Sequence, residues 1–432
     1  MLIKYIEERT LICYTLNSNI RTMRGCIMKS KIRTQEILKK YDLSRQTLYR
    51  WIKQELITEP KRDWRNWRVW TNENIIEIEG IIKSKNKSIN KKEQRGYFDI
   101  NNRRYLGSKY KLLGFINEIV ENECEGIRSV ADIFGGTGTV AKSFYDQGKS
   151  IIVNDILESN YLAYKTWFSN EEINIEKIAK LIDNYNSIEV ICDNYVSENF
   201  GGTYFSVENA RKIGYIREEI NRIKNELTDR EYAALVTSLI YAMDKVANTC
   251  GHYDAYRRKF DSVEPLKLLI PNVSTINDKD NRIYNMDANK LVREIEADLV
   301  YIDTPYNSRQ YGDTYHLLEN IAKWEKPRVE GVARKMVDRS SIKSKYCTSK
   351  APEAFEELIN GVNARYILVS YNNMAQKGVG RSNAKISNEE IISILESKGN
   401  VNVFSTDYKV FTTGKTNVDE HKELLYLCKC FD

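Results

Sequence analysis

The run LVYIDTPY, residues 299–306, carries apolar residues into an acid and then breaks on a proline. Asp303-Thr304-Pro305-Tyr306 therefore offers a carboxylate, a carbonyl ahead of a proline and an aromatic ring at the end of a strand-like stretch. A second cluster lies in VADIFGGTGTVAKSFYDQGKSIIVNDI, residues 130–156, which reads as strand, glycine turn, helix and second strand. Gly136-x-Gly138-x-x-Ala141 matches the dinucleotide fingerprint, and Asp155 follows Gly136 by 19 residues. Such glycines let a ligand approach the backbone, and the terminal acid accepts from ribose hydroxyls. NAD and S-adenosylmethionine both present that ribose, so the fingerprint alone does not separate them. Asp132, four residues before Gly136 in the D-x-F-x-G-x-G run that includes Phe134, would repel a pyrophosphate and suits an ammonium. It favours S-adenosylmethionine. Tyr105 and Lys109 flank a Leu-Gly-Ser turn and offer a ring and a cation for the methionine carboxylate. Asp287, within RIYNMDA at 282–288, is placed to accept from the adenine amino group, although an acid there also caps a following helix.

The rest of the chain must position these groups. Its 432 residues, 42% hydrophobic, can build a sizeable core and more than one domain. No apolar run reaches the ~18 residues of a membrane span. The N-terminus lacks a signal-peptide pattern. Eight cysteines form no C-x-x-C pair, and there are three histidines. That points to a reducing, cytoplasmic protein without a metal site. Residues 1–100 hold 22 Lys+Arg against 12 Asp+Glu, whereas the remainder holds 44 against 48. The basic excess thus lies entirely in the first hundred residues, which suggests that they meet a polyanion. A solvated charged surface is the plainer alternative.

Within that segment, residues 33–57 read as two short helices about a turn at Asp42-Leu43, with Ser44 capping the second. Ile37, Leu38 and Tyr41 pack against Leu48, Trp51 and Ile52. Arg45, Gln46, Tyr49 and Arg50 then face outward, and Arg and Gln are residue types that reach base edges. KRDWRNWRVW follows, alternating tryptophans with Arg62, Arg65 and Arg68. The pattern over 29–82 resembles a MerR-like winged helix-turn-helix, which implies DNA contact. A protein-binding or capping module is the alternative. Residues 1–28 read as an N-terminal extension and 83–95 as a basic linker.

From residue 96 onward, Tyr105-x-Gly-Ser-Lys109, D-I-F-G-G-T-G, Asp155, a long insertion, Asn285-Met-Asp287 and D-T-P-Y occur in that order. The series resembles the Dam-like, alpha-group adenine-N6 DNA methyltransferases of restriction-modification systems. NSRQYGDTYHLLENIA and ILVSYNN resemble the restriction-system members. The resemblance implies a Rossmann-like α/β core for residues 96–432, mainly parallel with the last strand reversed. It also implies S-adenosylmethionine as cofactor, double-stranded DNA as substrate, a cognate restriction endonuclease as partner, and no metal. Asp303 and the carbonyl of residue 304 would accept the two adenine amino hydrogens, and Tyr306 would stack on the flipped base. Thr304 replaces the family's first proline. The carbonyl is kept and the φ-fixing ring is lost, while Pro305 still biases residue 304 to extended geometry. An RNA adenine methyltransferase and a catalytically weakened DNA-binding regulator are the competing functions.

The insertion, about 165–280, is expected to be mostly helical and to read the DNA target. Leu235, Val236, Leu239, Ile240, Met243 and Val246 form a helical core stripe. After it, Tyr253, Tyr256, Arg257, Arg258 and Lys259 are expected in an exposed loop suited to an unpaired strand, with Arg309 also on the DNA side. MVDRSSIKSKYC, residues 336–347, reads as a candidate flap.

Overall fold

Val130 and Ala131 are adjacent in sequence and fully buried, yet they belong to different hydrophobic clusters. The same split separates Val153 from Ile152, Tyr301 from Val300, and Leu368 from Ile367. Successive strand side chains point to opposite faces. A sheet apolar on both faces must be covered on both, which gives three layers. In the computed structural model, residues 32–81 are described apart from 42, 55, 64, 66 and 72. Residues 96–431 are described apart from 104, 261–263, 276–278, 307, 373–383 and 407–422. The extension 1–28 and the linker 83–95 fall outside the described residues. The chain divides into two units, Met1–Gln94 and Arg95–Asp432.

The larger unit holds a seven-stranded sheet. Its strands are β1 (Ser129–Asp132), β2 (Ser150–Asn154), β3 (Arg282–Tyr284), β4 (Ala297–Ile302), β5 (Ala364–Asn372), β6 (Gly399–Thr406) and β7 (Glu423–Cys430). They lie in the order β6-β7-β5-β4-β1-β2-β3. β3, β2, β1, β4 and β5 run parallel. β7 runs antiparallel to both β5 and β6. The mainly parallel sheet with a reversed last strand is the expected one.

One face is covered by α1 (Leu113–Glu123), α2 (Thr139–Asp146) and α3 (Glu158–Phe168), together with the inserted helices α4 (Ile175–Ser187), α5 (Val207–Arg222) and α6 (Asp229–Val246) and then α7 (His316–Lys323). The other face is covered by α8 (Ala351–Gly361) and α9 (Asn388–Glu396). Thr228 and Glu231 form a capping box that starts α6. Every residue from Ala233 to Met243 is buried, so α6 is enclosed on all sides and not along a single stripe. Its place is within the main core.

In the smaller unit, helices Thr34–Tyr41 and Arg45–Lys53 pack through Ile37, Leu48 and Trp51 around Ile57, Trp70 and Ile78. Ser44 caps the second helix by accepting from the Thr47 amide at 3.0 Å. Short strands at 32–33, 61–62 and 68–70 form an antiparallel ribbon, and a helix follows at 73–81.

Candidate active site

Asp132, Asn154 and Ile302 end three neighbouring parallel strands, so Asp132, Asp155 and Asp303 reach the same edge of the sheet. A ligand crevice is expected there, outside the carboxyl ends of parallel strands. An open cleft is lined by these three acids, Tyr105, Lys109, Phe134, Gly136, Asp287, Thr304, Pro305 and Tyr306.

The turn between β1 and α2 is held by its backbone. Gly136 takes φ 53°, donates its amide to Asp155 Oδ2 at 3.0 Å, and faces the cleft. Gly138, expected to contact the ligand, does not line the cleft. It has φ 75°, and a Cβ there would come within 2.8 Å of Ile100 Cδ1. Its smallness serves the turn and the packing beneath it. Asp155 also accepts from Leu157 N at 2.8 Å. Burial pushes its carboxyl up to about 6 against the pull of these amides.

Asp132 is 1% exposed. Its Oδ2 accepts from Ala141 N at 3.2 Å, whereas its Oδ1 has no partner. Burial, with Asp303 adding to it, pushes this carboxyl up to about 8. A buried acceptor left open on the cleft wall fits a cationic ligand group such as an ammonium.

Lys109 is placed differently from the sequence expectation. Its Nζ lies 2.8 Å from Asp303 Oδ1, and the side chain is 6% exposed. It is thus the partner of the candidate catalytic carboxylate and not simply a free cation for a ligand carboxylate. Burial disfavours the Lys109 ammonium, but Asp303 and then Glu423 outweigh it and raise its pKa. Burial raises the Asp303 carboxyl, and Lys109 pulls it back. Thr304 is 2% exposed and its Oγ1 has no partner. The Tyr306 ring meets Tyr371 edge-on at 6.1 Å, with Lys109 Nζ 5.9 Å from its centroid.

Asp287 lines the cleft and also caps the 288–291 turn, accepting from Asn289 N at 3.0 Å. Phe134 packs edge-on against Tyr346 at 5.3 Å. Tyr105 stacks on Tyr315 at 4.4 Å and 5°, and its hydroxyl accepts from Asn160 at 3.2 Å. The Tyr315 hydroxyl takes the Leu106 amide at 2.8 Å, and Tyr311 donates to the Leu106 carbonyl at 3.3 Å. The segment after D-T-P-Y therefore pins the Leu-Gly-Ser turn that carries Lys109.

Tyr253, expected in an exposed loop, is 2% exposed. Its hydroxyl donates to Asp244 Oδ1 at 2.7 Å, and Asp244 pairs with Arg103 at 3.1 Å behind Tyr105. It supports the cofactor side of the cleft from within the core and is corrected from a DNA contact to a structural group. Arg257, Arg258 and Arg309 are exposed, and Arg309 lies 3.8 Å from Asp254. In the other unit Arg45, Gln46, Tyr49 and Arg65 are exposed, and Arg68 covers the Tyr49 ring at 4.6 Å. Residues 336–347 form an anchored wall: Gln310 and Ser344 exchange two hydrogen bonds, and the Tyr346 hydroxyl donates to Asn289 at 2.7 Å.

Two further groups carry weight. Asn154, 1% exposed, donates to the carbonyls of Ile133 and Met286 and so ties the glycine turn to the Asp287 loop. An amide ending the apolar run SIIV was the available signal. Tyr311 and Tyr315 were visible only as an i,i+4 aromatic pair. Among the described residues no group of three or more His, Cys, Asp or Glu could hold a metal ion, and no helix is long and apolar enough to cross a membrane.

This sheet, with its cleft across the ends of β1, β2 and β4, defines an α/β methyltransferase core. The profile of the D12 class N6 adenine-specific DNA methyltransferases matches residues 105–377. The chain is 35% identical over 344 residues to Modification methylase StsI of Streptococcus sanguinis, covering 75% of this chain and 51% of that protein. It is 35% identical over 319 residues to Type II methyltransferase M.FokI of Planomicrobium okeanokoites, covering 68% and 47%. It is 32% identical over 331 residues to Type II methyltransferase M.NlaIII of Neisseria lactamica, covering 74% and 95%. The chain spans about half the length of the first two relatives and nearly all of the third. It belongs to the D12 class N6 adenine-specific DNA methyltransferase family.

Proposed function

We propose that this protein is a site-specific DNA adenine methyltransferase of the Dam-like, alpha-group kind, serving as the modification enzyme of a restriction system. The observation that carries this is Asp303, held by Lys109 at 2.8 Å on the same cleft as the glycine turn and Asp155. The modification methylases among its relatives support the DNA substrate. S-adenosylmethionine supplies the methyl group from its sulfonium. Asp155 accepts from the ribose hydroxyls, the open Oδ1 of Asp132 takes the ammonium, and Asp287 takes the adenine amino group. Tyr105, Phe134 and the Gly136 backbone shape the walls around the cofactor, with Gly138 supporting the turn.

The adenine N6 lone pair is delocalised into the ring, so the nitrogen is a poor nucleophile. Asp303 and the Thr304 carbonyl each accept one amino hydrogen and draw that nitrogen towards tetrahedral geometry. Pro305 keeps the carbonyl's segment extended, and Tyr306 stacks on the flipped base. Holding nitrogen and methyl in line then supplies much of the rate. On the DNA side, Arg257, Arg258 and Arg309 contact the strand near the cleft, and the insertion about 165–280 shapes the target site. Residues 29–82 act as a MerR-like DNA reader through Arg45, Gln46, Tyr49 and Arg65.

Transfer of labelled methyl groups to duplex DNA and to RNA tests the reading. Single-molecule sequencing of DNA from a methylase-negative host expressing the protein complements it. N6-methyladenine within one recurring motif is expected. Transfer to RNA alone, or to no nucleic acid, overturns it.

A further inference from the structure

Helix α3 begins at Glu158, just after Asp155, and has no side-chain cap of its own. Its N-cap position is Leu157, which is 1% exposed and packed in the main core. A leucine cannot accept from the first amides of a helix, so those amides need acceptors from elsewhere. Two carboxylates supply them. Asp155 Oδ1 accepts from Leu157 N at 2.8 Å. Glu319, on α7, accepts from Glu158 N through Oε1 at 3.0 Å and from Ser159 N through Oε2 at 3.2 Å. The Glu319 side chain is 0% exposed, with Lys323 Nζ 3.5 Å from Oε1.

Both carboxylates thus serve one stretch of backbone. Asp155 Oδ2 also accepts from Gly136 N at 3.0 Å, so amides on either side aim its two oxygens. Asn160, in the same first turn of α3, donates to the Tyr105 hydroxyl at 3.2 Å. One turn before Glu319, Tyr315 stacks on Tyr105 at 4.4 Å, and its carbonyl takes the Glu319 amide at 3.0 Å. The helix that follows D-T-P-Y therefore holds the cofactor wall at two points, the Tyr105 ring and the turn behind Asp155.

We propose that Glu319 is a positioning residue for cofactor capture: it caps α3 from a distance and so holds Asp155 in the orientation that receives the ribose hydroxyls. A carboxylate at a helix N-terminus is favoured by the helix dipole as well as by its hydrogen bonds, and burial strengthens both. Without Glu319 the first turn of α3 loses two amide partners and loosens. The Leu157 amide, which aims Asp155, stands at the entry to that turn, and Asn160, which steadies Tyr105, lies within it. Asp303 and Thr304 follow a different strand, β4. The loss is therefore felt in cofactor affinity and not in the methyl-transfer step.

This inference rests on reading the cleft as an S-adenosylmethionine site. The test is calorimetric titration of the free protein with S-adenosylmethionine for wild type, Glu319→Ala and Glu319→Gln, with methyl transfer to duplex DNA measured alongside at saturating cofactor. Glu319→Ala should raise Kd about tenfold, ~1.4 kcal/mol, while kcat stays within about threefold. Glu319→Gln keeps the length and one acceptor but turns an N–H towards the other amide, so its Kd should lie between the two; it decides the matter if the alanine variant does not fold. Ile321→Ala, a cut in the buried face of the same helix, should lower Tm with Kd within about twofold. The route is read from a double-mutant cycle. Glu319→Gln should lose most of its effect on Kd in an Asp155→Asn background, whereas a merely structural loss would add to it. Unchanged Kd in both Glu319 variants, additive losses in the cycle, or an Ile321→Ala variant that binds as weakly as Glu319→Ala overturns the proposal and leaves the methyltransferase reading standing. A wild type that binds no S-adenosylmethionine overturns the cofactor reading and the proposal with it.

Discussion

Replacing Thr304 by valine tests how the departure from two prolines is accommodated. Thr304 is 2% exposed and its Oγ1 has no hydrogen-bond partner. A buried polar group left unsatisfied costs about 1–3 kcal/mol. Valine keeps the β-branched shape and the extended bias of residue 304, keeps the backbone carbonyl, and removes only the hydroxyl. The free protein should gain about 1–2 kcal/mol. Unfolding entropy near 2.1 cal/mol/K per residue, over roughly 340 residues, gives ~0.7 kcal/mol per degree, so Tm should rise by about 1.5–3 °C. If the carbonyl is the only contact this residue makes with the adenine amino group, kcat should stay within about threefold. Calorimetry of the free protein and methyl-transfer kinetics read the two effects separately. An unchanged or lower Tm would show that the hydroxyl is satisfied in solution. A higher Tm with kcat down more than about tenfold would show that the hydroxyl acts on the substrate, refuting the argument from the carbonyl alone.

Asp303→Asn keeps the volume and removes the charge; methyl transfer should fall by at least about 1000-fold while S-adenosylmethionine binding, followed by calorimetry, changes modestly. Asp132 is held up at about 8, so an ammonium bound beside it should expel its proton. Calorimetric titration with S-adenosylmethionine at pH 7 in buffers of differing ionisation enthalpy should show release approaching one proton, and the cofactor should protect against unfolding more strongly as pH rises through 8. Tyr253→Phe leaves the Asp244 carboxylate short of one bond and should cost about 1–2 kcal/mol of stability with no change in DNA affinity at fixed salt. Removing residues 1–95 should leave cofactor binding intact, weaken DNA binding and flatten its salt dependence by ~0.9 in the log–log slope for each phosphate that the basic segment neutralises. Equal slopes for the full and shortened proteins would exclude that segment from DNA binding.

The parts of the site that were legible in the sequence are those whose geometry is set locally. D-T-P-Y reads as a strand end because four apolar residues precede the acid and a proline follows. The glycine turn reads as one because φ values of 53° and 75° require glycine at 136 and 138. What a sequence does not carry is the partner of a group hundreds of residues away. Lys109 looked available to a ligand carboxylate, but folding sets it against Asp303. Tyr253 looked like a loop aromatic among arginines, but α6 brings Asp244 beneath it. Gly138 fitted the ligand fingerprint, and only the positions of Ile100 and Tyr164 reveal that its missing side chain makes room below the turn.

These placements bear on the choice between the two adenosine ligands that the fingerprint left open. Asp132, Asp155 and Asp303 all meet the cleft, and Lys109 pairs with Asp303 at 2.8 Å. A pyrophosphate brought against Asp132 would set two further negative charges beside a wall of carboxyl groups, an unfavourable pairing. A ligand with an ammonium and a sulfonium reverses both signs: it satisfies the open Oδ1 of Asp132 and relieves part of the burial cost that raises these carboxyls. Once the methyl group leaves, the sulfonium charge disappears and that relief is partly withdrawn. Under the proposed function, the carboxylates that favour a methyl donor over a dinucleotide should therefore hold the demethylated product less tightly than the donor.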